Sequence, residues 1–209
     1  MKTLKRTLLL LLVSQLRLMA QVPDTAGSFD PLFEVFTLPG GSLGNRVQGM
    51  VQDSIGFLWF ASQGGLIRYD GQNFVSHRFD PNNPNSPSSD YVESVFLDSK
   101  GILWLTHWQQ GGLTSYDPDL GLFSRYRHEP DNPESLGGDV LSATVEDAEG
   151  YIWIGGDHGL DRFDRKTGKF RRFRHDPDDS GSLSHNRVRV LYVDRQGTLW
   201  IGTGFPWNT

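Results

Sequence analysis

With 209 residues, 37% of them apolar, the chain is long enough to bury a core, and length alone allows one or two domains. It contains no cysteine, which excludes a disulfide scaffold, a thiol nucleophile and a cysteine-ligated metal. Its formal charge of −5 disfavours nucleic acid and anionic membrane as partners.

The first twenty residues stand apart from the rest. Lys2, Lys5 and Arg6 precede an apolar run from Leu8 to Val13, and Ala20 then precedes Gln21, Pro23 and Asp24. This charged, apolar, small-residue order is that of a secretory signal peptide, so residues 1–20 are expected to be removed and 21–28 to form a linker. The apolar run is too short for a bilayer of ~30 Å, which needs about 20 residues, and no later stretch approaches that length. The mature chain is expected to be exported to the periplasmic side of the inner membrane, with any anchor outside this sequence. Loss of residues 1–20 leaves 16 basic against 25 acidic residues, a formal charge of −9.

From residue 29 onward the chain repeats itself. Asp53, Asp98, Asp147 and Asp194 are each followed by a glycine, Gly56, Gly101, Gly150 and Gly197, and then by a tryptophan, Trp59, Trp104, Trp153 and Trp200, at intervals of 45, 49 and 47 residues. Asn45, Asp90, Asp139 and Asn186 keep the same intervals, and Gly-Leu pairs follow the tryptophan at 65, 112 and 159. Each unit reads as four short strands rich in aromatic and β-branched residues with turn residues between them. In the clearest units these are Val188 to Val193, 199–201, 159–163 and 169–174. The first strand is apolar on both faces, as expected of a strand covered on two sides.

No segment after residue 20 sustains a 3.6-residue apolar period. A period in the forties with four strands per unit marks an all-β fold, a β-propeller of four-stranded antiparallel blades stacked around an axis. Asp and Gly would build the first hairpin of each blade, and Trp would offer a broad surface to the next. A buried Trp hides ~150–250 Å², an upper-bound contribution of roughly 4–6 kcal/mol per blade. The repeats fall near 47–90, 91–139 and 140–186, with a partial unit at 187–209. Residues 29–37 align with a fourth strand, and Pro206 breaks the pattern where a third strand should begin. The region 29–209 is thus expected to be an incomplete ring, three full blades with parts of others, cut from a longer protein. Small residues at Gly49, Ser94, Ala143 and Val190 suit the crowded inner edge of such a ring.

The units, clearest in SLSHNRVRVLYVDRQGTLWIGT and SATVEDAEGYIWIGGDHGLDRFDRKTGKFRRF, resemble the two-component regulator propeller repeat of periplasmic sensor regions in hybrid two-component systems of the Bacteroidetes. The resemblance implies a sensor of glycan breakdown products, dimeric at full length, that signals through further sensor domains to a histidine kinase. No kinase, receiver or phosphoacceptor element stands in these residues, so the chain itself is not expected to be an enzyme and needs no cofactor. The alternatives are a propeller lyase or glycosidase and a free-standing lectin or scaffold.

Loops between second and third strands share a face with the connectors between blades, where ligands are read. The second unit is longer there, at Thr106-His107-Trp108-Gln109-Gln110. An aromatic face beside amide and imidazole groups suits a sugar ring, so Trp108, His107 and Gln109 are candidate carbohydrate contacts, with Asp157 and His158 in the matching loop of the third unit. The competing reading of Trp108 is that it covers the adjacent blade. His128 and His175 share a repeat position and are read as structural. The acidic stretch from Asp176 has Arg187 where a calcium loop needs Glu, so no metal is expected.

Overall fold

The computed structural model describes residues 34–204. The signal peptide, the linker and the segment around Pro206 lie outside the described residues. A short unit ends at Phe36 and a second begins at Thr37; among the described residues the second holds every strand. One helical turn, α1 (Gly41–Gly44), precedes the strands. Among the described residues no helix is long and apolar enough to cross a membrane.

Three four-stranded antiparallel sheets follow in chain order. Blade 1 comprises β1 (Val47–Gln52), β2 (Leu58–Ser62), β3 (Gly65–Tyr69) and β4 (Phe74–His77). Blade 2 comprises β5 (Val92–Leu97), β6 (Leu103–His107), β7 (Leu113–Asp117) and β8 (Leu122–Tyr126). Blade 3 comprises β9 (Leu141–Glu146), β10 (Ile152–Gly156), β11 (Gly159–Asp164) and β12 (Lys169–Phe173). A two-stranded fourth sheet, β13 (Val188–Val193) with β14 (Leu199–Thr203), completes the described region. The first strands crowd together, β1 against β5, β5 against β9 and β9 against β13, which makes them the innermost strands of an open propeller arc. Residues 34–37, the described part of the expected fourth strand over 29–37, carry no strand.

The Asp-Gly-Trp spacing has a physical cause in each blade. Gly56, Gly101, Gly150 and Gly197 all take positive φ, from 81° to 104°, a region that side chains resist. The Asp does more than start the turn. In blade 2, Asp98 Oδ1 accepts the backbone N–H groups of Lys100 (2.8 Å) and Ile102 (2.9 Å). Its Oδ2 accepts the indole N–H of Trp104 at 2.6 Å. The same indole bond recurs from Trp59 to Asp53 (2.8 Å), Trp153 to Asp147 (2.6 Å) and Trp200 to Asp194 (2.7 Å). One carboxylate therefore caps the hairpin and fixes the rotamer of the residue that meets the next blade.

The interfaces between blades 1 and 2 and between blades 2 and 3 are short aromatic stacks. Trp59 lies between His77 of its own blade, 5.9 Å away and near parallel, and Tyr116 of the next, 5.6 Å away and edge-on. Trp104 repeats this with Tyr126 and Phe163 at 5.9 and 5.5 Å. Such pairs favour offset or edge-to-face contact, so the indole meets the next blade by its edge relation and not flat. Exposure follows the stacking. Trp59 and Trp104 are 1% and 3% exposed, Trp153 is half-buried against the two-stranded sheet, and Trp200, with no described sheet beyond it, is 60% exposed.

The innermost strands depart from expectation in one respect. They are not covered on both sides: β5 is half-buried along most of its length, and Met50, Val190 and Tyr192 are exposed. One side of an innermost strand faces the open middle of the arc, and the face of β13 lies at the edge of the described region.

The connectors between blades are ordered by repeated polar contacts. Asp90, Asp139 and Asn186 accept the backbone N–H of Phe79, His128 and His175 at 2.7, 2.9 and 2.7 Å, and Asn45 accepts that of Leu38 at 2.7 Å. The rings of His128 and His175 bond the carbonyls of Leu136 and Leu183 at 2.8 and 2.6 Å. Their place is structural, as the shared repeat position suggests.

Candidate functional site

The lengthened loop of blade 2 is built on a buried base. His107 is fully buried at the end of β6, with one ring nitrogen 3.0 Å from the Tyr91 carbonyl and the other 3.0 Å from Thr114 Oγ1. Burial pushes its pKa down to about 4, so at neutral pH the ring is uncharged. Both nitrogens are engaged within the protein, which makes His107 a support of the loop and not a surface contact. Gly111 lies against this ring; an added Cβ would come within 2.2 Å of the His107 Cβ. The loop is also held by Arg127, which donates to the Gln110 carbonyl, and by the Gly112 N–H, bonded to the Asp139 carbonyl at 2.9 Å.

Trp108 projects from that base and is half-buried, with Gln109 exposed beside it. The Arg189 guanidinium of β13 sits over the indole, 4.6 Å from the ring centroid. Arg189 also approaches Asp157 Oδ1 at 3.4 Å and Ser142 Oγ at 3.4 Å. Arg187 reaches the same Asp157 oxygen at 3.6 Å. That oxygen is buried and accepts no hydrogen bond from the described residues, which is uncommon for a buried carboxylate oxygen. Side chains from blades 2, 3 and the partial fourth thus converge. His158, by contrast, is exposed and lies over Gly138, where an added Cβ would come within 1.9 Å of its ring.

Behind this convergence is a feature that residue patterns alone did not reveal. In every sheet the pairing of the innermost strand slips by one residue near its start: between Val47 and Gly49, Val92 and Ser94, and Val188 and Val190, while Gly155 and Gly156 pair Ala143 and Leu141. The extra residues are Gln48, Glu93, Ser142 and Arg189, one per blade. A bulge re-aims the residue it releases. The inner edge of the arc is therefore not lined by small or apolar residues alone: this polar column stands beside Gly49, Ser94, Ala143 and Val190. Gly49 lies against the next blade, with an added Cβ 4.0 Å from the Val95 nitrogen. Glu93 belongs to the cluster electrostatically, its carboxyl raised by burial and lowered in part by the charge of Arg189. The signal for the column was a polar, unit-specific residue directly after an apolar one, Val47, Val92, Leu141 or Val188.

Among the described residues no group of three or more His, Asp and Glu side chains is placed to hold a metal ion. The carboxylates of the acidic connector are used locally: Asp176 Oδ1 accepts the Asp178 N–H at 3.0 Å and Asp179 Oδ1 the Gly181 N–H at 2.8 Å.

Residues 182–205 match the family described as Two component regulator propeller. Those residues hold the Asp194-Gly197-Trp200 set, and its bonding recurs in the three preceding blades. Residues 182–205 therefore form one unit similar to that repeat, and the three preceding blades share its hydrogen-bonding pattern. Solved structures share the fold of these repeats. The extracellular domain assigned to a hybrid two component system of B. thetaiotaomicron superposes with a TM-score of 0.70 at 23% identity, over 81% of this chain and 24% of its own. PorZ of Porphyromonas gingivalis, a surface component of the type-IX secretion system, gives 0.56 at 15% identity, over 78% of this chain and 25% of its own. Virginiamycin B lyase of Staphylococcus aureus gives 0.56 at 13% identity, over 76% and 49%. At these identities the likeness concerns the fold, and the chain spans about a quarter of the length of the first two. None of the curated proteins matches the chain.

Proposed function

We propose that this chain is the ligand-reading part of an exported sensor, binding a glycan-derived ligand on the face that carries Trp108 and passing its occupancy to a histidine kinase outside the chain. One observation carries the reading: Trp108, Asp157 and Arg189 come from three different blades and meet on one face. An indole flanked by a guanidinium and a carboxylate offers stacking together with donors and acceptors for sugar hydroxyls. Gln109 adds an exposed amide. A ligand held there touches several blades at once, so its affinity depends on how they are set, which is the requirement for coupling binding to a change of state. The repeat family and the fold shared with the B. thetaiotaomicron extracellular domain support export and sensing.

A glycan array probed with the purified protein and with Trp108→Ala tests this. The reading requires at least one glycan bound by the wild type and lost in the variant, recovered chemically unchanged. Equal binding by both proteins would remove Trp108 from the site, and cleavage of the bound glycan would favour an enzyme of the lyase kind instead.

A further inference from the structure

A second site lies at the other end of the blade 2 sheet, since in an antiparallel sheet the β7–β8 turn is opposite the β6–β7 loop that bears Trp108. It starts from a departure in the repeat. The residue paired with each indole on the neighbouring third strand is Arg68 opposite Trp59, Ser115 opposite Trp104 and Arg162 opposite Trp153. Arg68 covers the Phe57 ring at 4.8 Å and Arg162 the Tyr151 ring at 4.1 Å. Blade 2 has Ser115 and Ile102 at these positions, so the long side chain and its aromatic platform are both absent. The fourth strand adds Ser124 opposite Ser115, where blades 1 and 3 have Val75 and Arg171.

These replacements leave a cavity of about 300 Å³ between blades 2 and 3, within the range of small-molecule sites, about 300–1,000 Å³. Its wall is mixed. Leu120, Leu122 and Tyr126 give it an apolar side, and Ser115, Ser124 and Asp117 bring hydroxyl and carboxylate groups to it. Ser115 Oγ meets the Tyr126 hydroxyl at 3.5 Å, the outer limit of a hydrogen bond. From blade 3 comes Arg165, at a position held by Gly71 and Pro118 in the other units. Its Nη2 is fixed by Asp98 Oδ2 at 2.9 Å and Glu146 Oε1 at 2.8 Å, while its buried Nε has no hydrogen-bond partner among the described residues.

The geometry points to a binding site for one neutral pyranose ring. Hydroxyls that both donate and accept match the Ser115, Ser124 and Tyr126 hydroxyls, Asp117, whose Oδ1 is taken by the Asp119 and Leu120 amides, accepts through its other oxygen, Arg165 donates, and the leucines cover the C–H side of the ring. Charge sets the class: Asp98, Glu146 and Asp117 outnumber Arg165, so a carboxylated or sulfated sugar meets a repulsive field. The site does not depend on the reading of the Trp108 face.

Saturation-transfer NMR on the full chain tests it, with methyl glucopyranoside, methyl galactopyranoside and methyl mannopyranoside as probes and sodium glucuronate as the charged control. The expected result is transfer to at least one methyl glycoside and none to glucuronate. That binding survives Trp108→Ala and falls about tenfold or more, the effect of losing one or two hydrogen bonds, in Ser115→Arg and in Ser124→Val. Both of the latter install a residue that a neighbouring blade already accommodates, and an unchanged or higher unfolding midpoint shows that each folds. Silence of all three glycosides with the wild type, equal binding by the two cavity variants, or preference for glucuronate would overturn the site. Loss of binding in Trp108→Ala alone would assign the sugar to the other face.

Discussion

Replacing Asp98 by alanine, compared with the same change at Asp194, separates what the repeat carboxylate does from where it sits. Both aspartates make the same local bonds: two backbone N–H groups and one indole N–H, at 2.6 to 2.9 Å. Asp98 is 6% exposed, and it also receives Arg165 of blade 3 at 2.9 Å. Trp200, the partner of Asp194, is 60% exposed. Alanine at 98 strands the buried Trp104 N–H, at a cost of about 1–3 kcal/mol, frees the part-buried amides of Lys100 and Ile102 to water at smaller cost, and leaves Arg165 with Glu146 alone at 2.8 Å. Because Arg165 is partly exposed its share is discounted, and a total of about 3 kcal/mol is expected. For a chain of this size that lowers the unfolding midpoint by roughly 6–12 °C. At 194 water replaces the lost acceptor, and the shift is expected to be a small fraction of that. The assay is thermal unfolding followed by near-ultraviolet circular dichroism, on both variants under identical conditions. Equal shifts, or a larger one for Asp194→Ala, would refute the claim that the carboxylate acts chiefly at a closed blade interface.

Acidification should destabilise the protein through His107. Its folded pKa is about 4 because it is buried, below the ordinary value of about 6.5, so the unfolded state takes up a proton that the folded state refuses. Its contribution is complete above pH ~6.5 and is lost as pH falls toward ~4, up to about 3 kcal/mol. His77, lowered by burial and by Arg68, acts in the same direction. Urea midpoints measured from pH 7 to 5 should fall in the wild type and fall less in His107→Gln; parallel slopes would contradict this. Gly159→Ala should destabilise by about 2–3 kcal/mol, because Gly159 has φ +117° and an added Cβ would lie 2.4 Å from the Phe173 carbonyl oxygen. Gly71→Ala, at φ +95° with nothing within 4 Å, should cost less in the same melts, and the reverse order would count against the packing argument.

The fold was legible in the sequence because its determinants are local and recur in register. A turn needs its glycine, and a hairpin its Asp, whatever the neighbouring blade contains. The order of strands, the blade count and the turning of each indole toward the following sheet all follow from those columns. What escaped depends on groups brought together from different units. The Asp to indole bond spans six residues but closes only when the hairpin forms. The bulge at Gln48, Glu93, Ser142 and Arg189 is a fact of backbone pairing, and residue type alone shows only a polar position in an apolar strand. His107 looked like part of a polar loop because Tyr91 and Thr114, which enclose it, lie 16 and 7 residues away. Trp108 and Asp157 were both visible as loop residues, but Arg189, which joins them, lay inside what read as a plain strand.

The most direct measurement is amide hydrogen exchange, read by mass spectrometry, on the protein with and without the glycan returned by the array. The account predicts slower exchange in residues 107–112, in the loop at 157–158 and at the start of β13 around Arg189, from three blades together. A glycan that protects only outer strands, or no glycan that protects these three segments, would contradict a ligand-reading face centred on Trp108.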